Sequence, residues 1–138
     1  MNLDKLVAQL TKHEGKSLKP YVDTVGKVTI GVGRNLTDRG ITEEECDLLL
    51  STDIKIATLF CHAYDWFDTL DDVRQAVFAD MIFNLGPTRF AGFKKMIAAV
   101  EQRNWQSAAD HALDSQWAVQ VGSRAIRLAQ MLRTGEWP

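Results

Sequence analysis

Glu14-Gly15-Lys16-Ser17-Leu18-Lys19-Pro20-Tyr21-Val22-Asp23-Thr24-Val25-Gly26-Lys27-Val28-Thr29-Ile30-Gly31-Val32-Gly33 interrupts an otherwise helical chain. Pro20, Gly26, Gly31 and Gly33 punctuate two short β-type pieces, Tyr21-Val22 and Val28-Thr29-Ile30. The Val25-Gly26-Lys27 step reads as the turn of a small hairpin. A lone hairpin is marginal in water, so it must pack on something else.

Upstream, Leu3, Leu6, Val7 and Leu10 fall at the spacing of one apolar helix face. Asn2 suits the start of that helix and Gly15 its stop, near His13-Glu14. Downstream, Thr42-Glu43-Glu44-Glu45 is a capping box, with Thr42 as cap and Glu45 reaching back. The helical pattern then runs to about Tyr64, roughly 30 Å at the rise of an α-helix. Such a helix reads as a strut between two lobes; two helices broken near Ser51-Thr52 are the alternative. Beyond it, Thr69 suits the cap of a helix carrying Val73, Ala76, Val77 and Met81 and ending at Gly86 before Pro87. Further helices are expected from about Phe93 to Arg103, from Trp105 to Leu113, and from Ser123 to Thr134 with Gly135 just past the end. Trp105, Trp117 and Trp137 read as core aromatics. The expectation is a mostly helical α+β fold: one domain over residues 1–138. A small β-containing lobe spans about 14–42 and a connecting helix about 43–64. A helical lobe takes 65–138 together with helix 2–13.

Hydrophobic residues make up 46% and charged residues 25% of the 138-residue chain, which places it among globular proteins and outside disordered ones. No stretch approaches the ~18 apolar residues of a membrane span. Met1-Asn2-Leu3-Asp4-Lys5 has no apolar run behind its charges, so no secretory signal is expected. Cys46 and Cys61, 15 residues apart on one expected helix, would stand roughly 22 Å apart, beyond disulfide reach. Cys61-His62, His13 and His111 lack companions at ligand spacing, so neither a metal nor a cofactor is expected. The charge is uneven: net +3 over residues 1–37, −8 over 38–85 and +3 over 86–138. The acidic middle suits solvated helix faces; alternatively, the basic ends converge on an anionic polymer.

Three residues of the opening stretch can carry chemistry. Glu14 stands at a helix C-terminus, where the dipole disfavours negative charge and tends to raise a carboxyl pKa, as a general acid needs. The short turn brings Asp23 near Thr29. Each also fits a plain structural part: an exposed helix-end residue, a turn-capping side chain and a strand former.

The run Glu14-Gly15, Leu18 to Thr24, Gly26 and Thr29-Ile30-Gly31-Val32-Gly33 closely resembles the catalytic region of phage-type lysozymes. That pattern is Glu, eight residues, Asp, five residues, Thr, then Ile-Gly-x-Gly. Phe83-Asn84-Leu85-Gly86 with Phe90-Ala91-Gly92-Phe93 is a second block of resemblance. Ser115-Gln116-Trp117 with Arg124, Arg127 and Arg133-Thr134-Gly135-x-Trp137 is a third, so the likeness runs from Leu3 to Trp137. The resemblance implies a lysozyme-like fold with two lobes around a cleft, and a muramidase that hydrolyses the β-1,4 bond between N-acetylmuramic acid and N-acetylglucosamine. It implies Glu14 as general acid, with Asp23 and Thr29 holding and activating water, the two-carboxylate logic of inverting glycosidases. It implies Arg124 as the cation paired with the acid, and Asn35, Phe83, Asn84, Met96 and His111 as substrate-binding residues. Three positions depart from relatives: Met96 replaces a serine, His111 an asparagine and Arg34 a histidine. The segment from Asn35 to Ile41 is shorter than in some members. The implied partner is the glycan strand of bacterial peptidoglycan, met by a monomer that binds no nucleic acid and inserts in no membrane. The implied route is that of an endolysin made in the host cytoplasm, reaching the wall through a permeabilised membrane.

Three other functions remain open on sequence. A silent wall-binding protein would need no intact Glu14, Asp23 and Thr29. A lytic transglycosylase would need the acid but not Asp23. A helical nucleic-acid-binding module would use Arg124, Arg127 and Arg133, against a pI near 5.9.

Overall fold

The computed structural model describes all 138 residues. It contains eight α-helices and one three-stranded antiparallel sheet, the mostly helical α+β class expected. The chain divides into two compact units, Met1–Leu48 and Leu49–Pro138.

The first unit opens with α1, Leu3–Glu14. Asn2 caps it, its side chain accepting from the Lys5 N–H at 3.0 Å, and Gly15 ends it at φ 75° with its N–H donating to the Thr11 carbonyl. Strands β1 (Ser17–Val22), β2 (Val28–Gly31) and β3 (Arg34–Asn35) follow in sheet order β1-β2-β3. Val22 faces Val28 and Tyr21 faces Thr29, so the hairpin turn falls where Gly26 predicts. β1 begins earlier than Tyr21, and its ladder is irregular between Ser17 and Tyr21, the interval holding Pro20, which has no N–H to give. β3 was not expected. Two residues are too short for an alternating pattern, and the strand exists because Gly31 and Gly33, at φ 67° and 69°, reverse the chain onto β2.

α2 runs unbroken from Glu43 to Cys61, through Ser51-Thr52, and ends short of Tyr64. Its cap is as read at Thr42, whose Oγ1 accepts from the Glu45 N–H at 3.2 Å; the Thr42 hydroxyl in turn donates to Glu45 Oε1 at 3.1 Å.

In the second unit Thr69 is not the helix cap. It ends a 3-10 turn, Phe67–Thr69, and its hydroxyl donates to the Trp66 carbonyl at 2.6 Å. Asp71 caps α3 (Asp72–Leu85) instead, accepting from the Arg74 N–H at 2.9 Å. α5 (Lys94–Glu101), α6 (Trp105–Leu113) and α8 (Ser123–Thr134) stand near their expected places. Two short helices, α4 (Pro87–Ala91) and α7 (Gln116–Val121), were not read; each is too brief to show a helical period.

The core of this unit closes on Phe78, Phe90, Met81, Met96 and Leu132, all essentially solvent-free. Edge-to-face aromatic contacts link it, with Trp66–Phe78 centroids at 5.0 Å, Tyr64–Phe90 at 5.5 Å and Phe93–Trp117 at 6.0 Å. Trp117 is buried as expected, and Trp105 is half-buried beneath the Arg74 guanidinium at 4.3 Å. Trp137 is not a core residue. It lies 64% exposed, two residues past Gly135, where α8 has already ended and no element remains to cover it.

Candidate active site

Four of the residues singled out belong to the first unit. Glu14 is the last residue of α1, exposed, and its side chain lies directly against the backbone of Gly33. A Cβ built on Gly33 would stand 2.9 Å from Glu14 Oε2, 3.1 Å from Cδ and 3.2 Å from Cγ. The second glycine of the Gly-x-Gly run thus has two duties: it turns the chain into β3 and it leaves room for the carboxylate.

Asp23 is the residue around which the hairpin turn is built. Its N–H donates to the Lys27 carbonyl at 2.9 Å, while its Oδ1 accepts from the N–H groups of Val25 at 3.0 Å and Lys27 at 2.8 Å. Both side-chain bonds fall on Oδ1, which leaves Oδ2 outside the turn. Thr29 sits on the central strand, paired with Tyr21 on one side and Asn35 on the other. At 4% exposure it is the one polar residue among the buried side chains, and its hydroxyl donates to the Lys27 carbonyl at 3.1 Å. Asp23 and Thr29 therefore both bind the backbone of Lys27, the Asp23 carboxylate through its N–H and the Thr29 hydroxyl through its carbonyl. No hydrogen bond joins Glu14 to either.

Asn35 closes the next turn: its Oδ1 accepts from the Asp38 N–H and its Nδ2 donates to Asp38 Oδ2, both at 3.0 Å. Arg34 supports the sheet through Glu45 Oε2 at 2.6 Å and the Gly40 carbonyl at 3.3 Å. The Arg34 guanidinium holds the Glu45 carboxyl below its ordinary value.

The remaining candidates belong to the second unit, where three of them line two separate hollows. Phe83, 45% exposed, lines a pocket of about 300 Å³ with Ile56, Phe60 and Pro87. Met96 and His111 line another of about 540 Å³ with Phe93, Lys94, Lys95 and Trp117. Met96 is only 1% exposed, so it reaches that groove as part of its floor. Asn84 accepts a hydrogen bond from Trp117 Nε1 at 2.8 Å, its carbonyl oxygen engaged in holding the ring.

Arg124 donates from Nε to Asp80 Oδ1 at 2.9 Å and from Nη2 to the Asp80 carbonyl at 3.5 Å, with Nη2 also 2.8 Å from Oδ1 in an ion pair. Asp80 was not singled out in the sequence, because 44 residues separate the pair and no local pattern signals it. Arg133 is likewise bound, to Asp110 Oδ1 at 2.9 Å, so of the arginines at 124, 127 and 133 two are engaged by carboxylates of their own unit. The contacts of the Lys27 backbone and of Gly33 were equally silent; a backbone group and a missing side chain leave no residue-type signature.

The family described as phage lysozyme matches residues 11–133. The chain is 26% identical to the probable T4-type lysozyme 1 of Dictyostelium discoideum, over 88% of this chain and 89% of that one. It is 25% identical to the probable T4-type lysozyme 2 of the same organism, over 96% of each. It is also 27% identical, over 94% of its length, to a segment making up 28% of the pre-baseplate central spike protein Gp5 of Enterobacteria phage T4. With the match spanning the helix end at Glu14, the hairpin and nearly all of the helical unit, the chain belongs to the phage lysozyme family.

Proposed function

We propose that the protein is a muramidase, a glycoside hydrolase that cleaves the β-1,4 bond between N-acetylmuramic acid and N-acetylglucosamine in bacterial peptidoglycan with inversion. The observation that supports this reading is the Lys27 backbone, whose N–H is bound by the Asp23 carboxylate and whose carbonyl is bound by the Thr29 hydroxyl, in the unit that also carries Glu14 against Gly33. Glu14 gives its proton to the glycosidic oxygen as the bond breaks. The water that attacks the anomeric carbon is held by the other two.

Hydrogen-bond bookkeeping assigns their parts. The single hydroxyl proton of Thr29 is spent on the Lys27 carbonyl, so Thr29 can only accept from the water. Asp23 keeps Oδ2 outside the turn, so it takes the proton that the water loses. Thr29 aims the water and Asp23 is the base.

Arg124 is assigned to supporting the acid on the strength of the resemblance, as a cation already oriented by Asp80. Asn35, Phe83, Asn84, Met96 and His111 are assigned to substrate binding on the same ground. The enzyme works as a monomer on glycan strands, without inserting in a membrane or binding nucleic acid, and serves as an endolysin in host lysis. No helix is long and apolar enough to cross a membrane.

Turbidity of purified peptidoglycan, followed with the parent protein and Glu14→Gln, tests the assignment. The amide is nearly isosteric but has no proton to give, so clearing should stop while the fold persists. Activity within tenfold of the parent would remove Glu14 from the mechanism, and 1,6-anhydromuramic ends in the product would make the enzyme a transglycosylase.

A further inference from the structure

We propose that Gly33 is a positioning residue: the absence of a side chain there sets where the carboxyl of Glu14 rests. The inference rests on the reading of Glu14 as the general acid. It is carried by a contrast between two glycines two positions apart in the same turn. Gly31 and Gly33 share one backbone conformation, φ 67° and 69°, so an L-residue at either meets comparable backbone strain. Their surroundings differ. A Cβ on Gly31 would meet nothing within 4 Å, whereas a Cβ on Gly33 would stand 2.9 Å from Glu14 Oε2.

That distance cannot persist between unbonded carbon and oxygen, so something must yield. All three atoms nearest the added Cβ belong to the outer part of the Glu14 side chain, which is flexible and exposed at the end of α1. The backbone of the turn has no reason to move, because the side chain gives way at less cost. A substitution at Gly33 therefore relocates the acid without dismantling the unit. A shift of about 1 Å in a reacting group can cost on the order of 10²-fold in rate, because general-acid transfer needs the proton within hydrogen-bond reach of the leaving oxygen.

The test compares Gly31→Asn with Gly33→Asn, since asparagine tolerates positive φ better than other residues bearing a Cβ. Both variants are assayed on a soluble peptidoglycan oligosaccharide for kcat and KM and melted by circular dichroism, beside the parent and Glu14→Gln. The two asparagine variants should melt within a few degrees of each other. Gly31→Asn should keep kcat within about threefold of the parent, while Gly33→Asn should lose on the order of 10²-fold in kcat with KM little changed. Equal kcat losses in the two variants, with Glu14→Gln inactive, would overturn the positioning role and leave the acid standing. Retained activity in Glu14→Gln would instead overturn the reading on which the inference rests. If Gly33→Asn melts far below Gly31→Asn, the glycine serves the fold and the proposal is wrong.

Discussion

Asp23 and Lys27 are tied to each other twice, the N–H of Asp23 to the Lys27 carbonyl at 2.9 Å and the N–H of Lys27 to Asp23 Oδ1 at 2.8 Å. This reciprocal pair closes the hairpin turn. It also fixes the carboxylate on the N–H of Lys27, the residue whose carbonyl the Thr29 hydroxyl binds. In the proposed mechanism one side chain serves fold and chemistry through different oxygens, and the two services can be separated by mutation.

Asp23→Asn should separate them. The amide keeps a carbonyl oxygen for the N–H groups of Val25 and Lys27, so the turn and the melting temperature should survive nearly intact. The base is lost, and activity should fall about 10²- to 10⁴-fold. Asp23→Ala removes both and should also destabilise the protein, by about 1–3 kcal/mol, since two turn N–H groups lose a charged acceptor. Chemical denaturation and a turbidity assay on the two variants check this. Equal stability loss in both would mean that the turn depends on the charge itself.

Acid should weaken the fold through three carboxylates. Arg34 holds Glu45 below its ordinary value, and Arg133 does the same for Asp110. For Asp71, burial works upward but is outweighed by the Arg74 backbone N–H and guanidinium, so its value too is lowered. A carboxylate depressed in the folded state contributes stability that is complete above its unfolded pKa and is lost as pH falls through the folded one. The melting temperature should be flat from neutrality to about pH 5 and decline below about pH 4. Arg34→Met should blunt the decline by releasing Glu45; an unchanged acid limb would place the sensitivity elsewhere.

The two thiols should differ sharply in reactivity. Cys46 is exposed, while Cys61 is 1% exposed and burial pushes its thiol up to about 11. A thiol reagent at neutral pH should label Cys46 readily and Cys61 only after denaturant is added, because thiolate is the reactive form. Rapid native labelling of Cys61, read by mass spectrometry, would show that the end of α2 opens.

Much of this was legible in the sequence, and the misses share a cause. The hairpin, the cap at Thr42 and the ends of α1, α3 and α8 follow from local rules: glycine at a turn, a hydroxyl before acidic residues, glycine after a helix. Thr69 was misread because a hydroxyl suits a cap, while Asp71 two positions on offered the stronger acceptor to the same helix start. Trp137 was misread because an aromatic ring says that burial is favourable and not that a partner exists. At the site, residue type and spacing only admitted Glu14, Asp23 and Thr29 as candidates, and the resemblance to phage-type lysozymes singled them out. The parts played by Gly33, Asp80 and the Lys27 backbone arise only when strands pair and helices pack, and no local pattern encodes them.

The stereochemistry of the first product tests the central claim most directly. A water held by Asp23 and Thr29 attacks the sugar face opposite Glu14, which requires carboxyls roughly 6.5–9.5 Å apart and inverts the anomeric carbon. A nucleophilic Asp23 would sit about 5–5.5 Å from Glu14 and retain configuration through a covalent intermediate. The proposed scissile bond is β, so proton NMR of a peptidoglycan oligosaccharide digest, recorded before mutarotation, should show the α anomer of the new reducing end first. Appearance of the β anomer first would contradict the account, making Asp23 a nucleophile and removing Thr29 from the handling of water.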